Sequence, residues 1–159
     1  MTITVICVGK LKEKFWTAAV SEYSKRLSRF CRLQVIEVPD EPAPEPVREG
    51  DRERILQKEA ERIRKKIPSG SYVAALAVDG KAYSSEEFSA WMDNLWISGT
   101  SSLTLLIGGS LGIHDELLRS CDTRLSFSRM TFPHQLMRVI TLEQIYRAFK
   151  ISSGEPYHK

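Results

Sequence analysis

Cysteine is scarce, with only Cys7, Cys31 and Cys121 in the chain. They form no Cys-x-x-Cys pair and leave an odd thiol, which excludes a disulfide framework and a thiolate cluster. They read as small buried hydrophobes of a reducing compartment. Histidine is equally sparse: no two of His114, His134 and His158 are close enough in sequence to share a helical turn, so no metal site is legible. No run approaches the ~18 apolar residues of a membrane span, and the apolar start Thr2 to Val8 is too short for a secretory signal with its cleavage site. The expectation is a cytoplasmic protein with no membrane contact. There is no GxxxxGK[ST] and no GxGxxG, so neither a P-loop nor a dinucleotide fingerprint is present. Charge of one sign is also lacking. The net charge of +3 is compatible with a nucleic-acid partner without demanding one.

What remains is an ordinary globular composition of 42% apolar and 27% charged residues over 159 positions, the size of one domain spanning residues 1–159. The β-branched run Thr2 to Val8, closed by Gly9, predicts a first strand. Phe15, Trp16, Ala19, Tyr23 and Leu27 recur at helical spacing between Glu13 and Phe30, and Leu33 to Val38 supplies a second strand. Residues 39–46 hold four prolines in eight positions and predict a loop or mobile arm. Asp51 to Ile67 returns to helix, ending in the cations Arg62, Arg64, Lys65 and Lys66. These suit either a solvated face at the negative end of the helix dipole or an RNA phosphate contact.

Tyr72 to Val78 is apolar at nearly every position and predicts a central strand, after which Asp79-Gly80-Lys81 turns the chain. Ser84 or Ser85 caps a helix that buries Phe88, Trp91, Met92 and Leu95. The rest of the chain is organised around Leu103 to Tyr157. A buried strand, Leu103 to Ile107, ends in the glycine turn Gly108-Gly109-Ser110-Leu111-Gly112. Helix follows over Ile113 to Cys121, strand over Arg124 to Ser128, and helix over Gln135 to Lys150. Strict alternation of strand and helix is the signature of an α/β fold, a mostly parallel sheet with helices on both faces. The last helix carries more apolar residues than one core stripe needs. That predicts burial either against a second subunit or deep in its own core.

The glycine turn matches GxSxG, the nucleophile elbow of serine hydrolases, with Asp122 and His134 following in the required order. Room argues against that chemistry. Only one strand follows Ser110, and acid and base would have to reach it from opposite ends of that strand, roughly 5 × 3.3 Å apart. A pocket between the turn after Ile107 and the loop Phe127 to Phe132 is the better expectation, at the strand ends where α/β sheets hold ligands.

Five segments carry a resemblance: Thr2–Lys10 (TITVICVGK), Ile107–Gly112 (IGGSLG), Leu125–His134 (LSFSRMTFPH), Leu142–Lys150 (LEQIYRAFK) and the tail Gly154–Lys159 (GEPYHK). Together, over essentially the whole chain, they resemble the ribosomal large subunit methyltransferase H family of SPOUT enzymes. The resemblance implies a C-terminal trefoil knot, a homodimer, and S-adenosylmethionine as methyl donor. It also implies methylation at N3 of a pseudouridine in a loop of 23S rRNA within the ribosome. By motif, the cofactor contacts fall on Leu76, Gly108, Phe127, Ser128, Arg129, Met130, Thr131 and Phe132. The imide nitrogen must lose a proton, so His158 is the candidate base and Arg138 the candidate for stabilising the anion. The competing assignments are a disordered terminus for His158 and an interface salt bridge for Arg138. Tyr157 could stack on an unpaired base. A module that binds RNA without catalysis is the alternative from another class.

Overall fold

The computed structural model describes residues 1–158. Five strands alternate with five helices: β1 Thr2–Val8, α1 Lys14–Leu27, β2 Arg32–Val38, α2 Glu49–Arg64 and β3 Tyr72–Ala82, then α3 Ser85–Ile97, β4 Ser102–Ile107, α4 Asp115–Ser120, β5 Thr123–Ser126 and α5 His134–Ser152. The strands form one sheet in the order β2-β1-β4-β3-β5. Every neighbouring pair is parallel. β4 occupies the centre, and its Leu103, Leu105 and Leu106 are wholly excluded from solvent. β3, expected to be central, lies one place further out.

Side chains alternate across a strand, and this sheet uses both faces. Ile3, Val5 and Cys7 of β1, with Leu103, Leu105 and Ile107 of β4, pack under α1, α3 and α5. Ile6, Val8 and Leu106 pack under α2 and α4. Truncating any one of these leucines to alanine removes ~2–5 kcal/mol by the usual cost of a core cavity. The thiol of Cys7 belongs to this core, and burial pushes its pKa up to about 12.

Local chemistry sets the helix ends. Ser84 and Glu87 make a reciprocal capping box: the Glu87 N–H donates to Ser84 Oγ, and the Ser84 N–H donates to Glu87 Oε2. α4 is shorter than expected because His114 caps it, Nδ1 accepting from the Glu116 N–H, so Ile113 stays outside. On α1, Phe15 is 62% exposed rather than part of the inward stripe. The proline segment is fastened rather than loose. Glu41 pairs with Arg62 at 2.6 Å, Lys58 at 3.2 Å and Arg54 at 3.5 Å, so Arg62 is neither a solvated cation nor free for a phosphate.

α5 lies against both α1 and α3. Arg138, Thr141, Leu142, Ile145, Ala148 and Phe149 form its buried stripe, and no residue from His134 to Lys150 is fully exposed. Part of its apolar excess is met inside its own chain, while Leu136, Val139 and Ile140 stay part-exposed.

Candidate functional site

Strand ends and two departures from regular structure build one cavity. β4 stops at Ile107, and the next residues form a tight turn in which the Gly112 N–H donates to Gly109 O at 3.1 Å. Gly112 sits at φ +90°, in the left-handed region that favours glycine. Gly108 is required for a different reason: a Cβ there would lie 2.5 Å from Gly112 O, inside the turn itself. Outside the turn, Arg52 Nη2 donates to Leu111 O at 3.0 Å, and His114 Nε2 lies 2.8 Å from Glu53 Oε1, tying the loop to α2.

The second departure is in β3. Leu76 and Lys81 both pair with Leu125, so the four residues between them, Ala77 to Gly80, are extruded from the sheet. Gly80 lets the extrusion close, because a Cβ there would lie 2.6 Å from the backbone carbon of Leu125. The expected turn at Asp79-Gly80-Lys81 is therefore an excursion within a strand that continues to Ala82.

β5 ends at Ser126, two residues earlier than expected, because hydroxyls fold the next residues into a loop. Ser126 Oγ donates to Ser128 O and the Met130 N–H donates to Ser128 Oγ, both at 2.9 Å. Phe127 meets Phe88 of α3 edge to face, the centroids 5.7 Å apart, which fixes this wall to the core.

These segments enclose about 740 Å³. Of the residues expected to bind a cofactor, Leu76, Gly108, Phe127, Ser128, Met130, Thr131 and Phe132 line the cavity. Arg129 does not; it is exposed and lies outside the walls. Sequence reasoning missed Ala77, Val78 and Asp79, which the extrusion delivers, and His134 and Gln135 at the start of α5. The Phe-Pro-His stretch could have pointed to His134, since a proline before a histidine opens the helix at the cavity's edge.

Neither candidate for catalysis lies in the cavity wall. Arg138 is 0% exposed. Its Nη2 donates to Val8 O at 3.0 Å and Gly9 O at 2.6 Å, while Nη1 lies 3.7 Å from Glu37 Oε1. It pins α5 to the end of β1, and its Nε and Nη1 make no hydrogen bond. His158 lies elsewhere, with Nε2 2.6 Å from Glu86 Oε1 and Nδ1 3.2 Å from Arg147 Nη1. The tail is anchored: Glu155 pairs with Arg29 and Lys150, and the Tyr157 hydroxyl donates to Glu143. The ring of Tyr157 lies under the Arg147 guanidinium and against Tyr146.

The hydrolase arrangement fails in the fold. Asp122 accepts from the Val73 N–H at 2.7 Å, level with Thr104 near the start of β4, whereas Ser110 follows that strand's other end. Roughly three residues of strand, ~10 Å, separate the levels before the turn is added. Among the described residues no cluster could hold a metal ion, and no helix is long and apolar enough to cross a membrane.

A parallel sheet with a deep turn after its central strand and a loop wall after its edge strand defines a class. The family model described as "Predicted SPOUT methyltransferase" matches residues 1–158, and the chain belongs to that family. Similarity to curated relatives narrows it. Proteins named ribosomal RNA large subunit methyltransferase H from Clostridioides difficile (strain 630) and Bifidobacterium adolescentis are each 55% identical over 159 residues, covering 100% of both chains. One of the same name from Streptococcus uberis is 50% identical over the same span. Among solved structures, a probable methylase family protein from Haemophilus influenzae has a TM-score of 0.54 at 14% identity, covering 99% of this chain and 70% of that one. A putative methylase family protein from Neisseria gonorrhoeae has a TM-score of 0.54 at 11% identity, covering 99% and 86%. These two likenesses concern the fold alone.

Proposed function

We propose that the protein is an S-adenosylmethionine-dependent methyltransferase that modifies N3 of a pseudouridine in 23S rRNA of the large ribosomal subunit, acting in the cytoplasm as a homodimer. The observation that carries the reading is the cavity itself: seven of the eight residues on which the family resemblance places the cofactor line one open cavity. Its volume falls in the ~300–1,000 Å³ range of cofactor sites. Its walls also suit such a ligand. Leu76, Phe127 and Phe132 offer apolar surface to an adenine, and the glycine turn brings bare main chain within reach of polar edges. When bound, the cofactor supplies an electrophilic methyl group. The chain's part is to hold donor and acceptor in line and keep water away.

The chain path supports the knot expected of the family. Residues 127–133 leave β5 at one sheet edge and must pass the ends of β3 and β4 before α5 starts beside Gly9 at the end of β1. That route and the glycine turn both border the cavity. His158 is fastened to Glu86 and Arg147, away from the cavity of its own chain, and in the proposed dimer its partner's cavity is the one it would serve. Part-exposed Leu136, Val139 and Ile140 on α5 offer apolar surface for such a partner.

The deciding experiment incubates the protein and S-adenosylmethionine with ribosomes, separated subunits and free rRNA, then maps the methylated nucleotide. Methyl transfer to a pseudouridine N3 is expected. Saturable cofactor binding by calorimetry without transfer to any substrate would instead favour an RNA-binding module. Deleting Tyr157 to Lys159 should leave cofactor affinity within a few-fold and lower turnover by roughly 10²-fold or more, the scale of a lost acid-base group. Unchanged turnover removes His158 from the mechanism.

A further inference from the structure

A second cleft of about 390 Å³ opens beside the cofactor cavity, lined by Lys10, Lys12, Glu13, Pro39, Asp40, His134 and Gln135. The two spaces share His134 and Gln135, so the start of α5 is the partition between them. One wall is the loop after β1, the other the first residues after β2. Lys10 and Lys12 are exposed and make no ion pair among the described residues, whereas Arg54, Lys58 and Arg62 nearby are all held on Glu41. His134 Nε2 would lie 3.4 Å from a Cβ on Gly9, so any side chain at that position would crowd the ring. The ring makes no hydrogen bond among the described residues.

We propose that this cleft seats the nucleotide to be methylated: Lys10 and Lys12 contact phosphates of an RNA loop, and His134, in the shared wall, receives the proton from the ring nitrogen. The inference rests on the methyltransferase reading above, adds the place of the substrate, and sets His134 against His158 as the group that takes the proton; H134Q and the tail deletion tell the two apart. The N–H bond breaks and its proton passes to the unprotonated ring nitrogen of His134. The electron pair stays on the nucleobase nitrogen and forms the new bond to the methyl carbon. The pair of the breaking carbon–sulfur bond stays on sulfur, and the imidazolium returns its proton to water through the cleft.

The electrostatics agree with that role. Burial, and then the Arg138 guanidinium one turn along the helix, hold the pKa of His134 below the ordinary imidazole value, and Asp40 opposes them. The other charged groups facing this end of α5 are Lys10, Lys12 and Glu13 across the cleft, with Arg52, Asp79 and Asp115 across the cavity. The imidazole is therefore neutral at neutral pH and able to accept a proton.

The test uses the full-length protein, S-adenosylmethionine, and ribosomes from a strain lacking the enzyme. K10A/K12A should bind ribosomes without cofactor roughly ten-fold more weakly at low salt, with the log–log salt slope reduced by about 1–2, while K10R/K12R restores both. His134→Gln should lower kcat by roughly 10²–10⁴-fold with little change in KM. Its remaining rate should climb steadily into alkaline pH as the nucleobase ionises unaided. Calorimetry should give the wild-type cofactor affinity for each variant, which also shows that each folds. Unchanged ribosome affinity in K10A/K12A, or H134Q turnover with the wild-type pH profile, overturns the proposal alone. Wild-type protein that methylates none of the RNA overturns the functional reading and this proposal with it.

Discussion

The cavity at the strand ends and the C-terminal tail carry equally distinctive sequence, yet they are built differently within one chain. The cavity is finished: its turn, its extruded strand residues and its loop wall are closed by main-chain geometry and by short hydroxyl contacts from Ser126 and Ser128. The tail is held away from that cavity: His158 and Tyr157 bind groups on α3 and α5, and Glu155 binds Lys150 of α5 and Arg29, just beyond α1. A ligand site made from backbone at strand ends is local and completes itself on folding. Side chains that must meet a substrate depend on tertiary or quaternary placement, and the two histidines proposed for that work lie apart, one in the partition at the start of α5 and one in the tail.

Breaking the link between α5 and β1 should have the largest effect. Arg138→Ala leaves the buried Val8 and Gly9 carbonyls without their donor, at ~1–3 kcal/mol each, while losing the 3.7 Å pairing with exposed Glu37 adds little. Urea denaturation should show that loss. A variant of unchanged stability that is inactive would return Arg138 to the reacting atoms. Gly108→Ala comes next. Its Cβ meets main chain 2.5 Å away rather than a yielding side chain, so the turn must open, at the ~1–3 kcal/mol typical of overpacking. Cofactor affinity by calorimetry should fall by at least ten-fold, while the tail contacts, read from the Tyr157 fluorescence environment, stay as they are. An affinity unchanged by G108A would detach the turn from the site.

The same division explains what was legible in the sequence. Five strands and five helices follow from hydrophobic period, and Ser84 announced its helix because a capping box needs only residues three apart. Gly108 and Phe127 to Phe132 were marked by their motifs, although the reason for Gly108 proved to be closure of the turn. The extrusion at Ala77 to Gly80 was not legible. Gly80 looks like any turn glycine until Leu125 of another strand is brought against it. The contacts of Arg138 were not legible for a related reason. An arginine on an apolar helix suggests chemistry or an interface, and only the fold reveals two backbone carbonyls, 129 and 130 residues earlier in sequence, waiting for it.

The smallest effect expected concerns the link between the proline segment and the cavity. Glu59 is 5% exposed; its Oε1 accepts from the Glu41 N–H at 3.0 Å, and its Oε2 has no partner, lying 3.5 Å from where a Cβ on Gly109 would be. Burial raises its pKa above the usual carboxylate value, with the Glu41 N–H opposing. A carboxyl that binds its proton more tightly when folded contributes stability that is complete below its unfolded pKa of about 4.5 and is lost as pH rises through the folded value. Glu59→Gln keeps an acceptor for Glu41 and removes the charge. It should therefore match wild type in mildly acidic solution and exceed it by about 0.5–1 kcal/mol at pH 8. Equal stability of the two proteins at both pH values would mean that Glu59 carries its charge without penalty beside the glycine turn.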